Sequence, residues 1–175
     1  MKLGVLGAGL LAFAALGAQP AAAASPAALE CAFLGTPDAT IRQIEGMVST
    51  PGGPQRDQAE IDAYRQAVDA CATRHGASQE DVGQMLTYGY SKWSRTLALR
   101  RLLSTDMPVW IIEDIMDVGA GRANPPIQGM STQQAEIMLG RFADVGFDAE
   151  AVPQPIWNTV GVYIASTSAM YRSMD

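Results

Sequence analysis

Residues 78–105 read SQEDVGQMLTYGYSKWSRTLALRRLLST and form the longest continuous helical pattern of the chain. Ser78 is followed three residues later by Asp81, so a hydroxyl can cap the first turn while a carboxylate lies at the positive end of the helix dipole. Apolar residues then recur at spacings of three and four, and they form two faces: Val82, Met85, Leu86, Trp93 and Leu97 on one, Leu99, Leu102 and Leu103 on the other. A helix that is apolar on two sides predicts a position in the middle of a bundle.

Shorter helical patterns precede and follow this segment, and glycine or proline residues separate them. The last pattern, which Pro155 starts, contains Val160 to Ile164, a stretch that is β-branched enough to form a strand. We expect a helix there, because the chain offers no second strand with which it could pair. The sequence therefore predicts an all-α fold, a single bundle of five or six helices around the central helix from about Ser78 to Thr105. Residues 25–175 are expected to form one domain.

The first 24 residues have the layout of a secretory signal peptide. Lys2 supplies the charge, Leu3 to Leu16 the apolar run, and Ala22 to Ala24 the small residues of a cleavage site. The apolar run is shorter than the roughly 18 residues that span a membrane, and glycines interrupt it. We expect the mature chain to start near Ser25, to be soluble without a membrane span, and to be periplasmic or secreted. The short alanine-rich leader and the preference for arginine over lysine suggest a bacterial protein.

The chain has 12 lysine and arginine residues against 18 acidic ones, a formal net charge of −6, which becomes −7 when the leader and its Lys2 are removed. Proteins that bind nucleic acid need a basic patch or stripe. An acidic protein of this kind is therefore not expected to have a nucleic-acid partner.

Two cysteines, Cys31 and Cys71, remain after removal of the leader. In an oxidising compartment an even number of cysteines predicts one disulfide, which would stabilise the fold by about 4 kcal/mol on the chain-entropy model. The alternative is two unpaired thiols, a reactive arrangement outside the cytosol. Two cysteines and one histidine are too few for a structural zinc site.

The sequence gives little support for catalysis. His75, the single histidine, directly precedes Gly76, where a cation commonly meets the last carbonyl groups of a helix. The sequence has no serine-hydrolase motif, no Glu-x-x-His pair for a di-metal bundle and no calcium loop. We predict no catalytic residue, no metal site and no cofactor.

One cation is placed unusually. At 100° per residue Arg100 falls on the same helix face as Val82 and Trp93, and a charge on an apolar face needs a partner. The nearest candidates are the carboxylates of the following helix, Glu113 and Asp117 with Asp114 between them. The pattern predicts a buried ion pair of Arg100, or of the neighbouring Arg101, with Glu113 or Asp117.

Methionine and tryptophan are numerous in the mature chain. Methionine fills irregular gaps and adapts to ligands of variable shape, so these side chains are either ordinary core or the lining of an apolar groove. A groove would be gated by the glycine-rich and proline-rich loop from Gly119 to Met130, and it would accept a lipid, a peptide or a partner helix. The residues predicted to line it are Met85, Trp93, Trp110, Met116, Met130 and Met138.

Three functions follow from these observations. The leading hypothesis is an exported, non-enzymatic module that binds a protein partner, which predicts an exposed apolar patch over a filled interior. The second is a carrier of a small apolar ligand or lipid, which predicts a cavity of roughly 300 Å³ or more. The third is an enzyme of carboxylate acid/base chemistry, which predicts polar groups converging on Glu113 or Asp117 in a cleft.

Overall fold

The computed structural model describes residues 23–50, 57–127 and 129–175, and within these ranges the chain forms seven α-helices and no strand. The helices are α1 (Pro26–Leu34), α2 (Asp38–Ser49), α3 (Gln58–His75), α4 (Gln79–Leu103), α5 (Val109–Met116), α6 (Thr132–Asp144) and α7 (Gln154–Arg172). The predicted all-α fold is confirmed, with seven helices in place of five or six. The β-branched stretch from Val160 to Ile164 is helical.

The central helix begins as its sequence predicts. The Ser78 hydroxyl accepts a hydrogen bond from the Asp81 backbone N–H at 3.2 Å, and the Asp81 carboxylate accepts one from the Ser78 backbone N–H at 2.6 Å. This capping box satisfies two amides that the first turn leaves free. Five helices pack against α4, namely α1, α2, α3, α5 and α7, so its central position is confirmed.

Two clusters of buried side chains lie along α4. The first joins α1, α3, the first half of α4 and the end of α7, and it contains Leu29, Val68, Met85 and Met170. The second joins α2, the end of α4, α5, α6 and α7, and it contains Ile44, Leu102, Ile111, Phe142 and Tyr163. Burial of these two apolar sets is the main favourable contribution to folding.

Cys31 on α1 and Cys71 on α3 lie at disulfide-bonding distance, with 5.8 Å between their Cα atoms. The bond closes a loop with a sequence separation of 40 and holds α1 against α3. The predicted disulfide pair is confirmed in its geometry.

Gly89 marks the closest approach of α4 to its neighbours. A Cβ atom at this position would lie 2.6 Å from the Tyr64 hydroxyl oxygen and 3.2 Å from the backbone carbonyl of Ala32 on α1. The Tyr64 hydroxyl has little freedom to move, because it donates a hydrogen bond to the Leu86 carbonyl at 2.8 Å. Glycine therefore allows a helix contact that a side chain would prevent.

Gly89→Ala is expected to lower the free energy of unfolding by about 1–3 kcal/mol, the usual range for an overpacked core. Helix propensity alone predicts the opposite result, a stabilisation, since alanine in a helix interior is favoured over glycine by about 1 kcal/mol. Gly83→Ala on the same helix is the matched control, because nothing lies within 4 Å of a Cβ at that exposed position. Urea unfolding that showed both variants to be stabilised would contradict the close contact at Gly89.

Residues 1–22 of the predicted signal peptide lie outside the described residues, and the structure starts at Ala23. Ala24 is buried, and its backbone N–H donates to the Gln84 side-chain oxygen at 2.8 Å. The Ser25 hydroxyl then caps α1 by accepting from the Ala28 backbone N–H. None of the helices in the described ranges has the length and apolar character needed to cross a bilayer.

Candidate functional site

The last two helices diverge. α6 packs on α5 and α7 packs on α4, and in the described ranges no Cα atom of α6 lies within 8 Å of one of α7. Buried Phe142 of α6 closes the space from the core side, with its ring centroid 6.2 Å from that of Trp157 on α7. The gap between the two helices is an open apolar groove with a volume of about 750 Å³.

One face of α7 forms the long wall of the groove. Its lining residues recur at spacings of three and four over three turns, the signature of a single helix face: Gln154, Trp157, Val160, Gly161, Ile164 and Ala165. The segment from Gln154 to Ala165 extends for about 16 Å at the α-helical rise. The groove is therefore elongated along α7.

The opposite side of the groove consists of α6 and two connecting segments. Ala135, Met138 and Leu139 contribute from α6. Ile127, Gly129 and Met130 contribute from the loop before α6, and Ala149, Glu150 and Val152 from the connection to α7. The loop from Gly119 to Met130, predicted to gate a groove, thus supplies one edge of this one.

Asn124 fixes the first half of this loop. Its side-chain oxygen accepts from the Gly119 N–H at 2.8 Å, and its amide nitrogen donates to the carbonyls of Gly119 at 2.9 Å and Arg122 at 2.8 Å. Asn124 is buried and adopts a left-handed conformation with φ 48°, which asparagine tolerates better than most residues. The Ser168 hydroxyl of α7 donates to the Asn124 carbonyl at 3.0 Å, so the edge of the groove is tied to its long wall.

Two of the six residues predicted to line a groove do so, Met130 and Met138. Met85 and Met116 are buried in the two core clusters, the Trp93 indole donates to the Phe33 carbonyl at 3.0 Å, and Trp110 is 55% exposed. The arginine of α6, Arg141, lies over the Trp110 ring at 5.2 Å from its centroid. Sequence reasoning placed all six on one surface, but only Met130 and Met138 share one.

Trp157 is one of the tryptophans that were expected in the core or in a groove lining, whereas Gly161 and Ala165 were not predicted as lining residues. The signal for them was the spacing of small residues at 161 and 165 within an otherwise apolar helix. In the structure Gly161 is exposed, and a Cβ there would have no neighbour within 4 Å. The absence of a side chain at 161 keeps the middle of the groove open.

Glu113 lies in a polar cluster, but Arg100 is not its partner. Arg100 is exposed, and the cation beside the Glu113 carboxylate is Arg95 at 3.7 Å, five residues earlier on α4 and therefore about 140° around the helix axis. Asp117 is also exposed and ends α5 in a left-handed conformation with φ 52°. The predicted pairing of Arg100 with Glu113 or Asp117 is therefore replaced by a pair of Arg95 with Glu113, whose side chains are 25% and 28% exposed.

Tyr163 completes this cluster. Its hydroxyl donates to the Glu113 carboxylate and lies 3.4 Å from an Arg95 nitrogen, while the guanidinium lies over its ring. Burial raises the pKa of Tyr163 well above its ordinary value, and the bond to Glu113 adds to the shift, so the hydroxyl stays protonated. The next carboxylate, Asp114, pairs with Arg122 and Arg141, which lower its pKa.

These contacts link α5 to α4, α6 and α7 and are structural ion pairs. One oxygen of the Glu113 carboxylate, Oε1, accepts the hydrogen bond from the Tyr163 hydroxyl and lies 3.7 Å from the Arg95 guanidinium. Among the residues that the structure describes, no group of three or more histidine, cysteine or acidic side chains could hold a metal ion.

Comparisons of this chain with protein-family models, curated proteins and solved structures found no match. The groove and its surroundings are therefore the basis for a functional proposal.

Proposed function

We propose that this protein is an exported, non-enzymatic binding protein that holds an elongated apolar small molecule in the groove between α6 and α7. The observation that carries the proposal is the groove itself, about 750 Å³ in volume and lined almost entirely by apolar side chains. Ligand sites typically have volumes of about 300–1,000 Å³ and a mainly apolar lining with a few polar groups. Contact with Met130, Met138 and Trp157 would remove a large apolar surface from water.

The shape of the groove favours an aliphatic chain over a compact ligand. The long wall extends along three turns of α7 with small residues at 161 and 165, which leaves a channel parallel to the helix. The Ser168 hydroxyl donates to the Asn124 carbonyl, which ties the loop to α7 three residues before Ile127.

Filling the groove from within tests this proposal. Gly161→Leu places a side chain in the empty space at the middle of the groove, and we expect the affinity for the neutral fluorescent probe N-phenylnaphthylamine to fall by about tenfold or more. The reason is that the leucine side chain takes up space that the probe would fill. The probe then loses contact with the groove wall, and the loss of contact equal to one buried aliphatic side chain costs about 1.5–3 kcal/mol.

Gly140→Leu on α6 is the matched control, because Gly140 is exposed, does not line the groove and has no neighbour within 4 Å of a Cβ. Both changes replace a helical glycine by leucine, so general effects on stability are shared. Equal probe affinity in the two variants, or no binding by the native protein, would overturn the proposal.

Export is part of the proposal and rests on the layout of residues 2–24 and on the disulfide geometry of Cys31 and Cys71. One contact near the start of the described residues bears on where cleavage would fall. Ala24 is 6% exposed and is bonded to Gln84, so it belongs to the folded part.

We therefore expect cleavage to leave Ala24 in the mature protein, with Ala21 and Ala23 as the small residues before the cut. The intact mass of the protein purified from the compartment to which its leader directs it measures this directly. A mature chain starting at Ser25 would lack the hydrogen bond to Gln84, and a chain retaining Lys2 would contradict export by cleavage.

A protein partner is the second candidate. Three large apolar side chains of the α6 region are about half exposed, Ile137, Leu139 and Val145, together with Trp110 on α5. Exposed apolar surface of this kind is typical of interaction sites when it is contiguous. Native mass spectrometry of the purified protein separates the two candidates, because a carrier retains a small mass adduct and an interaction module retains a second polypeptide.

A further inference from the structure

The groove is polar at one end only. Among its described lining residues, Glu150 is the one charged side chain and Gln154 the one amide, and both lie where the chain enters α7. The opposite end is formed by Ile127, Ile164 and Ala165 and is apolar. A site with this distribution matches a molecule that has a polar head and an aliphatic tail.

The segment that carries Glu150 has a fixed shape. The Asp148 carboxylate accepts hydrogen bonds from the backbone N–H groups of Glu150 at 3.1 Å and Ala151 at 3.2 Å, which closes a tight turn before α7. This turn places Glu150 in the lining of the groove, two residues after Asp148.

Basic residues that could balance them are scarce. Between residues 127 and 165 the sequence has four carboxylates, Glu136, Asp144, Asp148 and Glu150, and a single base, Arg141. Arg141 is already engaged with the Asp114 carboxylate and the Trp110 ring on the α5 side of α6. The segment that supplies the described lining of the groove therefore carries an excess of negative charge.

The N-terminus of α7 contributes positive charge at the same end of the groove, because a helix dipole places about half a positive charge there. Its N-cap residue is Pro153, which provides no side-chain cap. Half a positive charge is smaller than the full negative charge of Glu150, which is the charged residue of the described lining, so negative charge predominates at this end. An anionic headgroup, such as that of a fatty acid, is disfavoured.

We propose that the ligand of the groove is a cationic amphiphile, with its positively charged head beside Glu150 and its aliphatic tail along α7 toward Ala165. This inference rests on the proposed function, since it names the class of ligand for the same groove. Aliphatic contact supplies most of the affinity, and the charge of Glu150 selects among headgroups.

Three probes with the same aliphatic chain and different heads test the inference on the full mature protein: dodecyltrimethylammonium, dodecyl maltoside and laurate, each below its micellar concentration. We expect the cationic probe to bind most tightly and laurate most weakly, measured by isothermal titration calorimetry. Glu150→Gln should lower the affinity for the cationic probe by about two- to fivefold, which corresponds to the free energy of an exposed ion pair. It should leave the affinity for dodecyl maltoside unchanged.

Glu45→Gln is the matched control, because it removes the same charge from an exposed position on α2, away from the groove. The inference that the ligand is cationic would be overturned by equal affinities for the three probes or by tighter binding of laurate. It would also be overturned if Glu150→Gln and Glu45→Gln changed the affinity for the cationic probe equally. These outcomes would leave the proposal of an apolar binding groove intact. Absence of binding by all three probes, or binding that Gly161→Leu does not weaken, would overturn the proposed function as well.

Discussion

The double variant Cys31→Ala/Cys71→Ala is expected to lose about 4 kcal/mol of unfolding free energy relative to the oxidised protein. The bond closes a loop with a sequence separation of 40, and the chain-entropy model gives about this value for the freedom that the unfolded chain regains. Since most domains have a total stability of about 5–15 kcal/mol, the loss is a large fraction.

Urea unfolding with and without reductant measures the effect. Reductant should lower the midpoint of the native protein to that of the double variant, and it should leave the variant unchanged. A shift of less than about 1 kcal/mol on reduction would mean that the packing of α1 on α3 and α4 already restricts the chain without the bond. Binding in the groove should not change while the variant is folded, because the bond lies in the first core cluster and the groove beside the second.

Phe142→Ala is expected to destabilise the protein by about 3–5 kcal/mol, the usual cost of removing a buried phenylalanine side chain. Phe142 is fully buried and contacts the rings of Phe147 at 5.2 Å and Trp157 at 6.2 Å. α6 has only two buried residues within its span, Met138 and Phe142. Loss of one of them should loosen α6 from the bundle in addition to lowering global stability.

Ile137→Ala on the same helix serves as the control. Ile137 is 48% exposed, so the change should cost about 1 kcal/mol or less. Hydrogen exchange should show faster opening of α6 than of α4 in the Phe142 variant, and probe affinity for the groove should fall because α6 supplies part of its lining. Unfolding free energies that fell equally in the two variants would contradict the assignment of Phe142 as the anchor of α6.

Local signals in the sequence predicted the helices well. The Ser78 and Asp81 pair starts α4, Ser131 caps α6, and Gly76 ends α3 in a left-handed conformation, as the sequence patterns indicate. These features depend on hydrogen bonds between residues three or four apart, so a single sequence contains the information. The even number of cysteines likewise predicted the Cys31 and Cys71 pair.

Contacts between distant segments were predicted less well. Periodicity identified α7 as an apolar helix, but it could not show that α6 would pack on α5 and leave one face of α7 uncovered. Arg95 and Arg100 illustrate the same difficulty, because both lie on α4 and only the rotation of the helix against α5 decides which reaches Glu113. The neighbouring helix that a side chain faces is decided by how the helices pack together. The sequence of any one helix therefore predicts it only weakly.

The separation of the two core clusters has a consequence for how the protein can evolve. The disulfide and the Gly89 contact belong to the cluster around α1 and α3, whereas the groove borders the other cluster, and α4 and α7 connect them. Substitutions at well-separated positions generally have additive effects. Exposed residues that line the groove, such as Leu139, Gly161 and Ala165, can therefore change while the covalently tied half keeps the chain above its threshold of stability.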